Sequence, residues 1–400
     1  MALLPVDEAR KRILDGVKSL SVESIALHKA CGRVLAVDVK AKRDQPPFRA
    51  SAMDGYAVRH EDVRQLPVAL QIIGTSAAGH GFKGSVRPGT TVRILTGAPL
   101  PRGADTIVIQ ENTEREGDEL RVIEATAEGK NVRRAGLDFA KGELLVGKGG
   151  VLTPRDIGLL AAGNAVTVKV YCRPKIVLFT TGDELVLPGN RPRADQIVSS
   201  NSHAIAAMAE KFGAVVVNLG IVKDNLKATI AAVRNGLGAD VLLTTGGASV
   251  GDHDYVQAAF KAAGVNIGFW KIALRPGKPF MYGRKGKTHV MGLPGNPVSA
   301  LVTARIFLKP LLDRFMGLPD VTQEQTAILD GNLPANDSRQ DYMRATLVVA
   351  ADGCRTVSPF SAQDSSMQRT LQSSQALIIR PPNAPEVRNG DSVSVLLLDF

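Results

Sequence analysis

Cysteine is scarce in this sequence: Cys31, Cys172 and Cys354 are the only three in 400 residues, and they lie far apart. That usage supports neither a disulfide framework nor a cysteine-based zinc site, and each is expected to be a buried small hydrophobe. Aromatic residues make up only 4%, which leaves few stacking platforms for single-stranded nucleic acid. There is no helix-turn-helix, RRM or zinc pattern either, so no nucleic-acid partner is expected. No run of roughly 18 apolar residues occurs, and the opening MALLPVDEARKRI holds no apolar signal core. A soluble, cytoplasmic protein with no membrane partner is the expectation. Polybasic blocks are missing as well. The formal charge of +10 calls for an acidic partner, yet basic residues come in ones and twos, as at Lys11-Arg12, Lys42-Arg43 and Arg133-Arg134. That pattern favours small anions over a polymer.

What the chain does have is an ordinary globular composition, 44% hydrophobic and 22% charged, at a length that predicts about two to four domains. Ala9, Ile13, Val17 and Leu20 recur at helical spacing and predict a helix over Val6–Leu20. Ser24–Leu27 and Val34–Val37 read as short strands. Between Val68 and Val146 the apolar segments are short and separated by turns, which suggests a small β domain. Thr153 and Pro154 open a helix as N-cap and first helical residue. Beyond Pro174 strands and helices alternate. Strands are predicted at Lys175–Phe179, Val215–Leu219, Val241–Leu243, Val265–Phe269, Pro279–Tyr282 and His289–Met291. Helices follow with stripes Ile205, Met208, Ala209, Phe212 and Leu226, Ile230, Val233, Leu237, then a long one over Val298–Phe315. This is βαβ alternation, hence an α/β domain with a largely parallel sheet. From Asp320 on the pattern returns to short strands around a hydroxyl-rich loop at Ser361–Ser374.

The stretch Val241–Val256, VLLTTGGASVGDHDYV, is the richest in chemistry. A buried strand runs into Gly246-Gly247, where bare backbone N–H groups and the hydroxyls of Thr244, Thr245 and Ser249 can meet an anion. Asp252 and Asp254 would repel a phosphate unless a divalent cation sat between them, as Mg²⁺ does. A plain turn with Asp254 as helix N-cap is the alternative. Ligands of parallel sheets sit at the carboxyl ends of strands, and Thr180–Glu184, Asp224, Arg275–Lys278 and Gly292–Pro297 fall at that rim too. Elsewhere, Gln45–Val58 is stiffened by Pro46-Pro47. Asp54 there is either a turn residue or a carboxylate presented from a rigid loop. Arg133, Arg134 and Asp138 read by default as a solvated charge cluster.

SAMDGYAV, RILTGAPLP, TGDEL, TTGGASVGDHDY, RPGKPF and GLPGNPVSA occur here in that order. Together they resemble the MoeA-type molybdopterin molybdenumtransferases, the family that includes the gephyrin E domain. The resemblance spans nearly the whole chain. It implies insertion of molybdate into adenylylated molybdopterin, with Mg²⁺-dependent hydrolysis of the adenylate to molybdenum cofactor and AMP. It also implies a homodimer whose cleft is shared between subunits, with a molybdopterin adenylyltransferase and molybdenum enzymes as partners. The implied fold is multidomain, α/β plus β. A β-rich linker domain spans 18–42 and 143–168, and a small β-rich domain 43–142. A three-layer α/β domain with a mostly parallel sheet takes 1–17 and 169–319, and a β-barrel-like domain 320–400.

Carried over position by position, Asp54, Glu184, Asp224, Asp254 and Lys278 are the implied catalytic residues. Thr96, Arg133, Asp138, Thr181, Gly246, Gly247, Ser249, Arg275, Pro294 and Pro297 are implied to bind substrate. Asp252, Asp254 and Glu184 are implied to hold Mg²⁺. Arg275 stands before Pro276 where many members carry lysine. A molybdopterin adenylyltransferase and a non-catalytic molybdopterin-binding scaffold are the rival readings. The former is a single α/β domain, and the added segments Gln45–Asp138 and Asp320–Phe400 argue against it.

Overall fold

The structure, a computed structural model, describes residues 3–246, 255–320 and 323–400. The chain divides into two compact units, one of residues 24–170 and one of residues 1–23 with 171–400.

The larger unit is built on a six-stranded sheet. Its strands are β1 (Lys175–Thr181), β2 (Val215–Val222), β3 (Val241–Thr245), β4 (Asn266–Trp270), β5 (Met281–Lys285) and β6 (Thr288–Leu293), in the order β2-β1-β3-β6-β5-β4. β1 pairs in parallel with β2 and β3, and β3 in parallel with β6. An antiparallel edge follows through β5 and β4. β3 is buried at every position, which is why it reads as an unbroken apolar run rather than an alternating one. Helices α1 (Asn201–Lys211), α2 (Leu226–Gly236) and α3 (Tyr255–Ala262) pack with the sheet, and Phe179, Val233, Leu242, Phe260, Met281 and Val290 share one core. The expected stripe Ile205, Met208 and Ala209 is buried on α1. α2 starts where the Asn225 side chain accepts a hydrogen bond from the Ala228 N–H at 2.9 Å, an N-cap. The helix expected over Val298–Phe315 is one helical run over Pro297–Phe315 whose middle, Ala304–Leu308, is π-helical.

Five further strands close on themselves: β7 (Glu324–Leu329), β8 (Gln340–Val349), β9 (Arg355–Pro359), β10 (Ala376–Arg380) and β11 (Ser392–Leu397). β8 pairs with both β9 and β10, and β7 and β11 complete the ring, so the expected barrel is a closed one with no free edge. A short strand, Leu274–Arg275, runs parallel to Gln340–Asp341 and stitches the α/β part to the barrel.

Residues 24–170 hold a mixed six-stranded sheet in the order Thr106–Ile109, Gly55–Val58, Thr90–Ile94, Val68–Ser76, Glu119–Val122, Thr113–Glu116. A separate apolar cluster gathers Leu27, Leu35, Leu152, Leu160, Val168 and Val170. The helix Pro154–Ala162 beside it opens on a capping box between Thr153 and Asp156.

Three expectations are corrected. The first helix stops at Leu14 instead of Leu20, because Asp15 is extended and Gly16 adopts a left-handed φ of 65°. Val34–Val37 is no strand but a pair of isolated bridges at Val34 and Leu35. Cys31 and Cys354 are exposed, and Cys172 is half-buried, where buried hydrophobes were expected. Cys31 lies in the turn after the short helix Leu27–Lys29, and Cys354 in the β8–β9 hairpin, where its N–H donates to Asp352 Oδ1 at 2.8 Å. Among the described residues no helix is long and apolar enough to cross a membrane.

Candidate functional site

At the carboxyl ends of β1, β2, β3 and β6 the chain leaves the sheet in loops that line a cleft of about 580 Å³. Thr181, Glu184, Asp224, Gly246, Arg275, Lys278 and Pro294, all anticipated from sequence, line it together. Pro297 lines an adjoining cleft. Gly247, Ser249, Asp252 and Asp254 lie outside the described residues.

Hydroxyls and one amide tie the loops to each other. The Thr180 hydroxyl donates to the Thr245 carbonyl at 2.9 Å, and Thr245 Oγ1 to the Pro294 carbonyl at 3.1 Å. Asn201 Nδ2, at the start of α1, donates to the Gly295 carbonyl at 2.6 Å and to Thr245 Oγ1 at 3.2 Å. Gly246 has a φ of +85°, and a Cβ there would stand 2.4 Å from the Thr181 carbonyl oxygen. Only glycine fits so close an approach in that conformation. The buried Thr181 hydroxyl has no hydrogen-bond partner among the described residues.

Charge is arranged unevenly around the cleft. Glu184 is exposed, its carboxylate turned back over Gly182. Asp224 is half-buried, and its N–H donates to Asp183 Oδ1 at 3.2 Å. The two expected cations differ. Arg275 is engaged by the barrel: its guanidinium bonds Asp341, Asp337 at 3.0 Å and Asn336 at 3.0 Å, and the Asp341 hydrogen bond raises its pKa further. Lys278 is exposed and forms no ion pair among the described residues. It is the cation left available for an incoming anion. Gly277 lets the turn between them sit against the helical run, since a Cβ there would meet Thr303 Oγ1 at 2.4 Å.

Mg²⁺ asks for oxygen donors and accepts one or two carboxylates completed by substrate phosphates. Glu184, Asp224 and the unpartnered Thr181 hydroxyl meet that demand within one cleft. Among the described residues no three His, Cys, Asp or Glu side chains converge.

The barrel supplies the opposite wall through Arg339, Gln363, Asp364 and Ser365. Arg344, 1% exposed, builds that loop. Its Nη1 donates to the Asp364 carbonyl at 2.8 Å and its Nε to Gln363 Oε1 at 3.2 Å. Ser365 then docks on the start of the helical run, its carbonyl accepting from the Val298 N–H at 3.0 Å and its hydroxyl from Asn296 Nδ2 at 2.6 Å. Asn201, Asn296, Arg339, Arg344, Gln363 and Asp364 were not singled out from sequence. Asn296 sits within the quoted GLPGNPVSA motif, the hydroxyl-rich loop was the signal for Gln363, Asp364 and Ser365, and no sequence signal pointed to Asn201, Arg339 or Arg344.

The unit of residues 24–170 holds the other anticipated residues. Asp54 Oδ1 accepts from the Thr96 N–H at 2.7 Å and the Thr96 hydroxyl at 2.8 Å, and these bonds hold its carboxyl below the usual range. Arg133 and Asp138 line a pocket of about 470 Å³ with Pro46, Pro47, Phe48 and Gly97. The Ser51 hydroxyl and Met53 carbonyl, 2.5 Å apart, pin the loop that carries Asp54.

Three family models match the chain in sequence: the MoeA N-terminal region (domain I and II) over residues 4–163, a probable molybdopterin binding domain over 177–314, and the MoeA C-terminal region (domain IV) over 326–398. The molybdopterin molybdenumtransferase of Haemophilus influenzae is 34% identical over 98% of each chain. Molybdopterin molybdenumtransferase 2 of Mycobacterium tuberculosis is 35% identical over 98% of each. The crystal structure of a molybdopterin biosynthesis MoeA protein from Pyrococcus horikoshii superposes with a TM-score of 0.81 at 30% identity, covering 99% of this chain and 100% of that one.

Proposed function

The chain belongs to the MoeA family of molybdopterin molybdenumtransferases, and from that premise we propose that it inserts molybdenum into molybdopterin in molybdenum cofactor biosynthesis. Its substrates are molybdate and adenylylated molybdopterin, and AMP leaves as the adenylate is hydrolysed. The observation that carries this reading is the convergence of Glu184, Asp224, Gly246 and Lys278 on one cleft. A phosphoanhydride and a tetrahedral dianion both need cations and bare backbone donors.

Each residue then has a task. The backbone of Gly246, open because no Cβ covers it, takes the phosphate end of the substrate. Lys278, which shares its charge with no carboxylate among the described residues, takes an oxyanion. Arg275, bonded to Asp337 and Asp341, sets the position of the Pro276–Lys278 turn more than it binds. Asp54, ionised through Thr96, acts on the substrate from the second subunit of a homodimer. Thr96, Arg133 and Asp138 stand with it, and Pro294 and Pro297 shape the turn beneath. Mg²⁺ fits the oxygen donors, and Glu184 with Asp252 and Asp254 would hold it. Bound there, the ion would neutralise phosphate charge and acidify a water.

The domain division expected from sequence, 18–42 with 143–168, 43–142, 1–17 with 169–319, and 320–400, is part of the same proposal. So are a cytoplasmic location, supply of substrate by a molybdopterin adenylyltransferase, and delivery of product to molybdenum enzymes. The test is AMP release from adenylylated molybdopterin with and without molybdate and Mg²⁺, followed by activation of a molybdenum-free apo-enzyme. Molybdate-dependent release with activation is expected. Binding of the adenylate without turnover would overturn catalysis in favour of a scaffold.

A further inference from the structure

Four residues other than glycine take a left-handed φ among the described residues, and three are asparagines: Asn131, Asn164 and Asn383. Asparagine tolerates that conformation because its short side chain bonds the local backbone. The fourth is Lys271, at a φ of 68°, where glycine or asparagine would sit with less strain. A lysine held there points to a task for its side chain. Its Nζ lies 4.2 Å from the centroid of the Trp270 ring, within cation–π range, and forms no ion pair among the described residues. Trp270 itself packs against the core of the six-stranded sheet. Its indole N–H has no hydrogen-bond partner among the described residues, so packing and the ammonium seat the ring.

Lys271 stands where β4 ends and the turn that carries Arg275 and Lys278 begins. Its N–H donates to the Phe280 carbonyl at 3.1 Å, and the next N–H, of Ile272, to the Lys278 carbonyl at 3.0 Å. The two ends of segment 272–279 are thus closed on each other beside Lys271. Its left-handed φ sets the direction in which that segment leaves the strand, and an extended residue there would rotate the turn and Lys278 with it. Lys278 is exposed and lines the cleft, whereas Lys271 is half-buried and is not among the described residues that line it.

We propose that Lys271 is a positioning residue: its ammonium, seated on the Trp270 ring, holds the left-handed turn that presents Lys278 to an oxyanion in the cleft. Without that ammonium the residue gains nothing from the strained conformation and relaxes toward extended backbone. Lys278 then faces the cleft only part of the time, and the apparent affinity for the anion falls by the fraction lost. The identity of the anion rests on the molybdenumtransferase reading, and the brace itself rests on the backbone and the ring.

Lys271→Met keeps the apolar stem and removes the charge, while Lys271→Arg keeps a cation over the ring. Trp270 is the one tryptophan in the chain, so its fluorescence reads the stack with no ligand present. Lys271→Met should shift the emission, and Lys271→Arg should leave it near that of the wild type. By calorimetry on the full chain, Lys271→Met should weaken adenylylated molybdopterin by about tenfold and Lys271→Arg by no more than about twofold. Added to Lys278→Ala, Lys271→Met should weaken binding no further, because it acts through Lys278. Additive losses would make Lys271 a direct ligand of the anion and overturn the proposal, as would unchanged emission or unchanged affinity in Lys271→Met. A wild-type chain that binds pyrophosphate but no adenylylated molybdopterin would sink the molybdenumtransferase reading instead. The same variants titrated with pyrophosphate would then decide the brace, which keeps the two failures apart.

Discussion

The Asp54 carboxylate takes two hydrogen bonds from a single residue, Thr96, one from its backbone and one from its hydroxyl. Both favour the ionised form. Thr96→Val keeps the backbone bond and loses the other, so the Asp54 pKa should rise toward the ordinary carboxylate value. If ionised Asp54 is required, the acid limb of log kcat/KM against pH moves to higher pH in the variant, with little change at pH 8. An unmoved acid limb would remove Asp54 from the rate-determining ionisation.

Asp54 and Lys278 lie on different units of the chain. If the working cleft joins residues from two subunits, Asp54→Ala and Lys278→Ala homodimers are each inactive but complement one another. Random mixing makes half the dimers mixed, each with one intact cleft of two, so about a quarter of wild-type activity should return. Activity that stays at the level of the single variants after subunit exchange would refute the shared cleft.

Gly246→Ala meets both a left-handed φ and the Thr181 carbonyl. It should cost roughly 1–3 kcal/mol of stability in urea titrations and raise KM for the adenylylated substrate. A variant with wild-type stability and KM would contradict the close approach of β1 and β3.

His289 is buried against Tyr282, its Nδ1 2.9 Å from the phenol oxygen, and burial pushes its pKa down to about 4. In the unfolded chain it titrates near the usual value of about 6.5. As pH falls from there toward 4, the unfolded state binds the extra proton and stability drops, by a few kcal/mol in all. His289→Gln should flatten that part of the stability curve between pH 7 and 4. An unchanged slope would mean that other groups carry the acid sensitivity.

Much of this architecture is legible in the chain. β1, β2, β3 and β6 were marked by branched apolar runs, and Thr153 and Pro154 announced their helix as N-cap and first helical residue. The rim loops could be placed because glycines and carboxylates follow those strands directly. Other features escaped a local reading. Val17 and Leu20 continue the helical period past the point where Gly16 ends the helix. Gln363, Asp364 and Ser365 reach the cleft through Arg344 and the pairing of Leu274–Arg275 with β8, contacts between segments far apart in sequence. Arg275 and Lys278 look alike in RPGKPF, yet only the fold separates a cation already engaged from one still available.

The closed barrel also bears on the order of events during synthesis. β11 pairs with both β7 and β10, so the ring cannot close until residues near 397 have left the ribosome. The α/β core is translated well before that and can fold first. Its rim loops are then bare, without the serine loop that Arg344 shapes and that docks on Asn296 and Val298. A nascent chain therefore carries an unfinished binding surface. The wall that Gln363, Asp364 and Ser365 supply is in place only once translation of the barrel is complete.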